Sequence, residues 1–337
     1  MIKEYLIKYF IPFSVLLISF FFTRLLIVIA KKKNILDIPN KRSSHSIPTP
    51  RGGGLALLLL FYLIGFIFDY GELQRSLIWI GFLLVGLMGL YDDRYELSSK
   101  IRLFFQLLIV TLVLFFSFEV TSLDFLGYQL KVKYIIIAFS VFYVVWILNL
   151  YNFMDGIDGI ASIQAVTLLV GILTLSPKLI YYHNYYLFLF IFVILGFLML
   201  NWQPARIFMG DVGSASLGFL FGVWAVYSKE LFEINFTEFN LLLTFFILDS
   251  TITLFRIIIS GKKATVAHKS HFYQRAVQSG LQHQTVTIIA GLLSLNSIIG
   301  VFFYRNNSII LGVTWVVIPI LLFFTYVENR KPFRENV

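Results

Sequence analysis

Side chains that can hold cations or phosphates gather in five short stretches of this chain. The densest reads Asn149-Leu150-Tyr151-Asn152-Phe153-Met154-Asp155-Gly156-Ile157-Asp158-Gly159. Its oxygens recur every third residue at Asn149, Asn152, Asp155 and Asp158, a spacing that predicts one shared side of a tight helical turn. Carboxylate and amide oxygens so arranged suit a hard cation, with phosphate and water completing its shell. A second stretch, Phe208-Met209-Gly210-Asp211-Val212-Gly213-Ser214, puts an aromatic ring, a carboxylate and a helix start within seven residues. Asp211 can bind Mg2+ and Ser214 can cap the next helix. Phe208 offers a flat face to a base, against the plainer alternatives of core packing or lipid contact.

The other three stretches are more cationic. In Gly89-Leu90-Tyr91-Asp92-Asp93-Arg94, two adjacent carboxylates stand at the mouth of an apolar run. They can hold Mg2+, position a basic side chain or accept a proton; the alternative is a solvated helix end. Lys100 adds a cation for substrate a few residues on. In Thr49-Pro50-Arg51-Gly52-Gly53-Gly54, proline fixes an extended path and glycines permit close approach. Arg51 beside the following helix N-terminus predicts an anion site, against the reading of a merely basic connector. The last stretch, His268-Lys269-Ser270-His271-Phe272-Tyr273-Gln274-Arg275, begins a short amphipathic helix that Gly280 ends. Such a helix in the interface would present His268, Lys269, His271 and Arg275 to phosphates. No third ligand stands at zinc-site spacing. Asp249 and Arg256, seven apart in one apolar run, are expected to pair structurally.

The elements that position these stretches are membrane helices. Of 337 residues, 58% are hydrophobic and 13% charged, against about 25% charged in soluble domains. The hydropathy predicts an all-α polytopic bundle, one domain over 1–337, with eleven spans near 5–30, 53–68, 77–90, 101–118, 134–149, 159–175, 186–200, 214–227, 241–259, 285–303 and 309–326. Spans 77–90 and 214–227 are the shortest of these. Lys31-Lys32-Lys33 close the first run and argue against a cleaved signal. With the N-terminus outside, 17 of the 27 Lys and Arg fall on the inner side, as positive-inside topology requires. All five polar stretches then share that face. The net charge of +9 fits anionic lipid better than nucleic acid, since no soluble segment could form a nucleic-acid-binding domain. A transporter would carry charges inside its spans and weak internal symmetry; neither stands out. With no cysteine, disulfides and thiolate metal sites are excluded.

The five stretches, in this order from about Pro39 to Gln284, resemble the polyprenyl-phosphate N-acetylhexosamine-1-phosphate transferases. The resemblance implies a bundle of ten or eleven helices in the bacterial inner membrane with a cytoplasmic active site. It implies that a UDP-N-acetylhexosamine and undecaprenyl phosphate give undecaprenyl-diphospho-sugar and UMP, with Mg2+ required and Mn2+ as a substitute, and it leaves room for a homodimer. Asp92 and Asp93 match the family's carboxylate pair near the lipid phosphate, Asn152 and Asp211 its metal contacts, and Asp155 a carboxylate lining the site. Asp158 matches a position reading uracil, Phe208 the ring that stacks on it, and His268 and His271 the histidine-bearing diphosphate loop. Arg42-Ser43-Ser44-His45 and the fifth stretch look more like the O-antigen-initiating branch than the phospho-N-acetylmuramoyl-pentapeptide transferases, which carry consecutive histidines there.

Overall fold

The computed structural model describes residues 2–39, 47–68, 73–117, 122–176, 185–261, 269–306 and 308–333. The expectations for Arg42-Ser43-Ser44-His45 and for His268 lie outside these residues. Helix α1 (Ile2–Lys32) leads into β1 (Leu36–Asp37), which pairs antiparallel with β2 (Thr49–Pro50). There follow α2 (Gly54–Phe68), α3 (Leu73–Tyr95), α4 (Ser99–Ser117), a hairpin of β3 (Leu123–Phe125) and β4 (Tyr128–Leu130), α5 (Lys133–Phe153) and α6 (Ile160–Leu175). The remainder is helical: α7 (Tyr185–Asn201), α8 (Asp211–Val226), α9 (Ser228–Phe232), α10 (Phe236–Leu242), α11 (Thr244–Ile259), α12 (Phe272–Gln278), α13 (His283–Arg305) and α14 (Ile309–Arg330). The protein is an all-α polytopic membrane bundle, with two short ladders in its connections.

The helices differ in how they meet the bilayer. Among the described residues, α1, α3, α4, α5, α13 and α14 are long and apolar enough to cross it. Helices α10 and α11 meet at an 80° bend and are long and apolar enough only as a pair, in the manner of a broken span or a re-entrant loop. The other four expected spans, α2, α6, α7 and α8, have 15, 16, 17 and 16 residues. At 1.5 Å per residue such helices reach about 23–26 Å, short of a hydrocarbon layer roughly 30 Å thick. Burial explains the shortness of α8: every residue from Val212 to Val226 is buried, so it meets protein rather than lipid. It packs between α3 and α5, and α1 packs on α7. An aromatic cluster of Trp79, Phe82, Phe190 and Trp224 fills the space around α8, its rings edge-on or stacked. Helix α3 is longer than expected and carries Asp92 and Asp93 within its last turn.

One end of the bundle is held by Arg305, which forks onto both oxygens of Glu238 at 3.0 and 2.9 Å and donates to the Leu175 carbonyl. The opposite end gathers the polar stretches.

Candidate active site at one end of the bundle

Asp211 is the hub of that end. Its Oδ1 accepts from Arg51 Nη2 at 2.9 Å. Its Oδ2 accepts from Asn152 Nδ2 at 3.3 Å and from Arg102 Nη1 at 3.5 Å. Arg102 also reaches Asp92 at 2.8 Å, and Asp92 caps the chain beyond α3 by accepting from Leu97 N–H. Residues 51, 92, 102, 152 and 211 thus form one charged cluster drawn from four separate connections. Arg102 is one of the inner basic residues and stands in none of the five stretches quoted from the sequence. The signal that could have found it is its place one turn into α4, on the same mouth as Asp92.

Asp93 does something different from its neighbour. Its two oxygens accept from the backbone N–H groups of Asp211 and Val212 at 2.9 and 3.2 Å. A carboxylate there completes orphan donors at the positive end of α8. Arg51 Nε closes the arrangement at 2.9 Å, with only 4% of the Asp93 side chain exposed. Asp93 therefore positions the α8 terminus that carries Asp211. It takes the cap expected of Ser214, whose hydroxyl instead donates to Asn152 Oδ1 at 2.6 Å and reaches the Gly210 carbonyl. Gly210 makes this fit possible: φ is +73°, and a Cβ would lie 2.5 Å from Asp93 Oδ2.

The first connection docks on the fourth through backbone bonds. Phe208 N–H donates to the Pro50 carbonyl, Gly53 N–H to Phe208 and Gly54 N–H to Met209. A Cβ at Gly54 would meet Gly213 Cα at 2.3 Å. The glycines expected to cradle an anion thus spend two N–H groups on the 208–209 backbone, because two helix starts must touch there. Arg51, expected beside that anion, turns its Nε and Nη2 to Asp93 and Asp211. Burial opposes its charge, but Asp93 and Asp211 hold the guanidinium above the ordinary arginine range. Phe208 is half-buried at this junction, and Lys100 is exposed in the first turn of α4.

The four oxygens at three-residue spacing do not share one face. Asn149 turns to α4 and exchanges hydrogen bonds with Gln106 at 2.8 and 3.4 Å. Asp158 is buried, accepts from Ala205 N–H at 3.1 Å and lies 3.3 Å from His283 Nδ1. Helix α5 ends at Phe153, so the regular spacing stops before Asp155. Only Asn152 and Asp155 stay with the charged cluster. Burial, then the charge of Asp211, pushes the Asp155 carboxyl well above the usual carboxylate range, with Arg51 opposing. A carboxyl whose folded pKa is raised destabilises the fold as pH climbs from its unfolded value, near 3.9, through the folded one. Asp155→Asn removes that loss. The variant should gain thermal stability over the natural chain at pH 8 but little at pH 4, without added divalent ion; melting curves at both values check this.

The fifth stretch forms the short helix α12, with Phe272, Tyr273 and Ala276 buried as its pattern predicts. Its cations are used differently from expectation. Arg275 is buried and pairs with Glu328 at 2.8 Å, away from the cluster. Arg256 pairs with Glu328 too, at 2.7 Å, and not with Asp249. Asp249 instead accepts from His271 Nδ1 at 3.1 Å and from the N–H groups of Phe272 and Tyr273 at 3.0 and 2.9 Å. An i, i+7 spacing shares a helix face but leaves the residues about 10 Å apart along the axis, so each found a nearer partner. Tyr273 hydroxyl donates to the Phe153 carbonyl, tying α12 to the third connection. Lys269 is half-buried and burial lowers its pKa. Asp249→Ala would orphan two buried N–H groups and His271; a loss of about 3 kcal/mol is expected, read as a lower thermal midpoint.

The donor set fits a hard divalent ion. Asp211 and Asn152 bring oxygen ligands of the kind Mg2+ takes, and the chain has no cysteine to offer a softer thiolate. Among the described residues no group of three or more His, Asp or Glu is placed to hold a metal ion by itself; Mg2+ is commonly bound by one or two carboxylates with substrate phosphates and water. For Asn152 to contribute its oxygen, its amide must turn from Ser214.

Comparison with known proteins gives one family pattern and several relatives. The glycosyl transferase family 4 pattern matches residues 75–229. A probable undecaprenyl-phosphate N-acetylglucosaminyl 1-phosphate transferase of Bacillus subtilis (strain 168) is 27% identical, over 99% of this chain and 98% of its own. An undecaprenyl-phosphate alpha-N-acetylglucosaminyl 1-phosphate transferase of Thermotoga maritima is 27% identical, over 92% and 94%. A phospho-N-acetylmuramoyl-pentapeptide-transferase of Streptococcus pneumoniae serotype 19F is 31% identical, but over 57% and 63%. The matched segment holds Asp92, Arg102, Asn152 and Asp211, the full-length relatives align almost end to end, and over that segment the chain is similar to glycosyl transferase family 4.

Proposed function

We propose that the protein transfers N-acetylglucosamine-1-phosphate, or a closely related N-acetylhexosamine-1-phosphate, from its UDP derivative to undecaprenyl phosphate. The observation that carries this is the cluster itself: Arg51, Asp92, Arg102, Asn152 and Asp211 meet at one end of a membrane bundle. A lipid phosphate and a soluble diphosphate can meet only at such a boundary. The basic bias of the connections supports a cytoplasmic site in a bacterial inner membrane. The pentapeptide transferases match a smaller share of the chain than the N-acetylglucosaminyl transferases do, which favours the smaller sugar.

In the reaction, an oxygen of the lipid phosphate attacks the phosphorus that bears the sugar. A new P–O bond forms, the bond to the bridging oxygen breaks, and UMP leaves with that oxygen. The second pKa of a phosphate monoester is about 6, so the acceptor is largely dianionic at neutral pH and needs no strong base. Asp92 then serves to orient Arg102 toward it, and Asp93 with Arg51 fixes the start of α8. Asp211 and Asn152 would hold Mg2+, which supplies charge neutralisation for the diphosphate and the departing UMP. Phe208, at the junction of the first and fourth connections, and Lys100, in the first turn of α4, are candidates for nucleotide and sugar contact, with Asp158, Lys269 and His271 as further candidates.

Purified protein, undecaprenyl phosphate and MgCl2 should release UMP with UDP-N-acetylglucosamine or another UDP-N-acetylhexosamine, and chelation should stop it. No UMP from any of these donors, where a family relative turns over, would refute the proposal.

A further inference from the structure

A second polar junction lies outside the charged cluster, where α13 begins. Its centre is His283, the first residue of that helix, which falls in none of the five polar stretches. His283 Nδ1 stands 3.3 Å from Asp158 Oδ1 and 3.5 Å from the Asp158 N–H, with 12% and 9% of the two side chains exposed. One turn on, the buried Thr287 hydroxyl donates to the Asp158 carbonyl at 2.9 Å. Gln284 N–H, an orphan donor of the first helical turn, donates to Gln203 Oε1 at 2.7 Å. Asp158 Oδ2 accepts from Ala205 N–H at 3.1 Å, so this one carboxylate bridges the fourth connection and α13. Asn201, buried at the end of α7, ties the third and fourth connections a second time. It accepts from Gly159 N–H at 3.1 Å and donates to the Ile207 carbonyl at 2.9 Å.

We infer that His283 is a positioning residue for the donor side of the reaction: it holds Asp158, and through Asp158 it sets the third connection against the fourth. The inference rests on the transfer reaction proposed above. The contacts of this junction end on Asp158, Gly159, Gln203, Ala205 and Ile207, the last adjoining Phe208. None of them ends on α3 or α4, which carry Asp92 and Arg102. A fault at His283 would therefore shift the candidates for nucleotide and sugar contact and leave the Arg102 end in place. The chemistry of the side chain suits this task. Imidazole carries a nitrogen close to the backbone, and Nδ1 can donate to the carboxylate or accept from the N–H according to its tautomer. Without it, Asp158 Oδ1 loses its neighbour on α13, and a carboxylate held through Oδ2 can turn away from its set orientation.

His283→Ala and His283→Asn separate this role from packing alone. An asparagine amide sets an N–H or an oxygen where Nδ1 stands, so it can serve Asp158 in place of either tautomer. With full-length protein, His283→Ala should raise KM for the UDP-sugar about tenfold, the scale of one lost hydrogen bond to a charged group. KM for undecaprenyl phosphate should not move, and kcat should not fall to match, a loss confined to ground-state binding of the donor. His283→Asn should recover most of the donor KM. Hydrogen exchange followed by peptide mass spectrometry should run faster over residues 156–159 and 203–207 in His283→Ala and return toward the natural rate in His283→Asn. A natural donor KM in His283→Ala, an equal rise in KM for the lipid, equal losses in the two variants, or unchanged exchange would each overturn the role. Failure of the natural chain to release UMP would instead remove the reaction and this role with it, while exchange would still read whether His283 holds the junction.

Discussion

Asp211→Asn should lower kcat by roughly 10²–10³-fold, the scale seen when one preorganised charge-stabilising group is lost, while the protein stays folded. The substitution keeps the size of the side chain and its place at the start of α8. What it removes is the charge that Arg51, Arg102 and Asn152 converge on. An amide there also turns N–H groups toward other N–H groups. Turnover at saturating substrates measures the first effect. Circular dichroism and gel filtration in detergent check that helical content and dispersity persist. A rate within a factor of about three of the natural chain, small on the scale of charge-assisted catalysis, would refute the place of Asp211 at the centre.

Arg51→Lys should be nearly as damaging, although it conserves charge. Arg51 uses two separate donors, Nε to Asp93 and Nη2 to Asp211, both at 2.9 Å. A planar fork can bridge two carboxylates; an ammonium is a point charge on a flexible stem. The shorter cation of this variant could serve one carboxylate and leave the other underpaired. Since Asp93 also holds the first N–H groups of α8, the defect should spread to Asp211. A fall in kcat of about a hundredfold is expected, on the scale of a misplaced positioning group. Arg51→Ala, which leaves the nearly buried Asp93 without its cation and Asp211 with Arg102 alone at 3.5 Å, should cost about 3–5 kcal/mol of stability. Wild-type rates and melting for Arg51→Lys would contradict the bridging role.

Much of this was legible before the structure. Composition gives the membrane class, and the long apolar runs give helix positions, because a bilayer leaves few alternatives to a helix. That the five polar stretches share one face follows from charge bias and span parity. Partnership was harder to read. Asp92 and Asp93 look equivalent in sequence, yet successive residues on a helix point about 100° apart. One therefore faces Arg102 and the other the α8 terminus. The spacing of Asn149, Asn152, Asp155 and Asp158 looks regular, but α5 stops within it and the chain turns toward Ala205 and His283. Arg275 carries a motif-like position and is spent on Glu328, a contact over 53 residues that no local pattern announces. The bend between α10 and α11 has no proline to mark it; an Asn235–Glu238 capping box opens α10 just before it.

The convergence of distant segments on one membrane boundary is tested most directly by side-specific labelling. The chain has no cysteine, so single cysteines report without background. Cysteine substituted at Ser99, Arg206 and Gln278, all exposed at the end that holds Asp211, should react with an impermeant maleimide from one side of sealed vesicles only. Cysteine at Tyr128 and Lys229, exposed at the far end, should react from the other side only. If Ser99, Arg206 and Gln278 divided between the two sides, the carboxylates and arginines could not form one site.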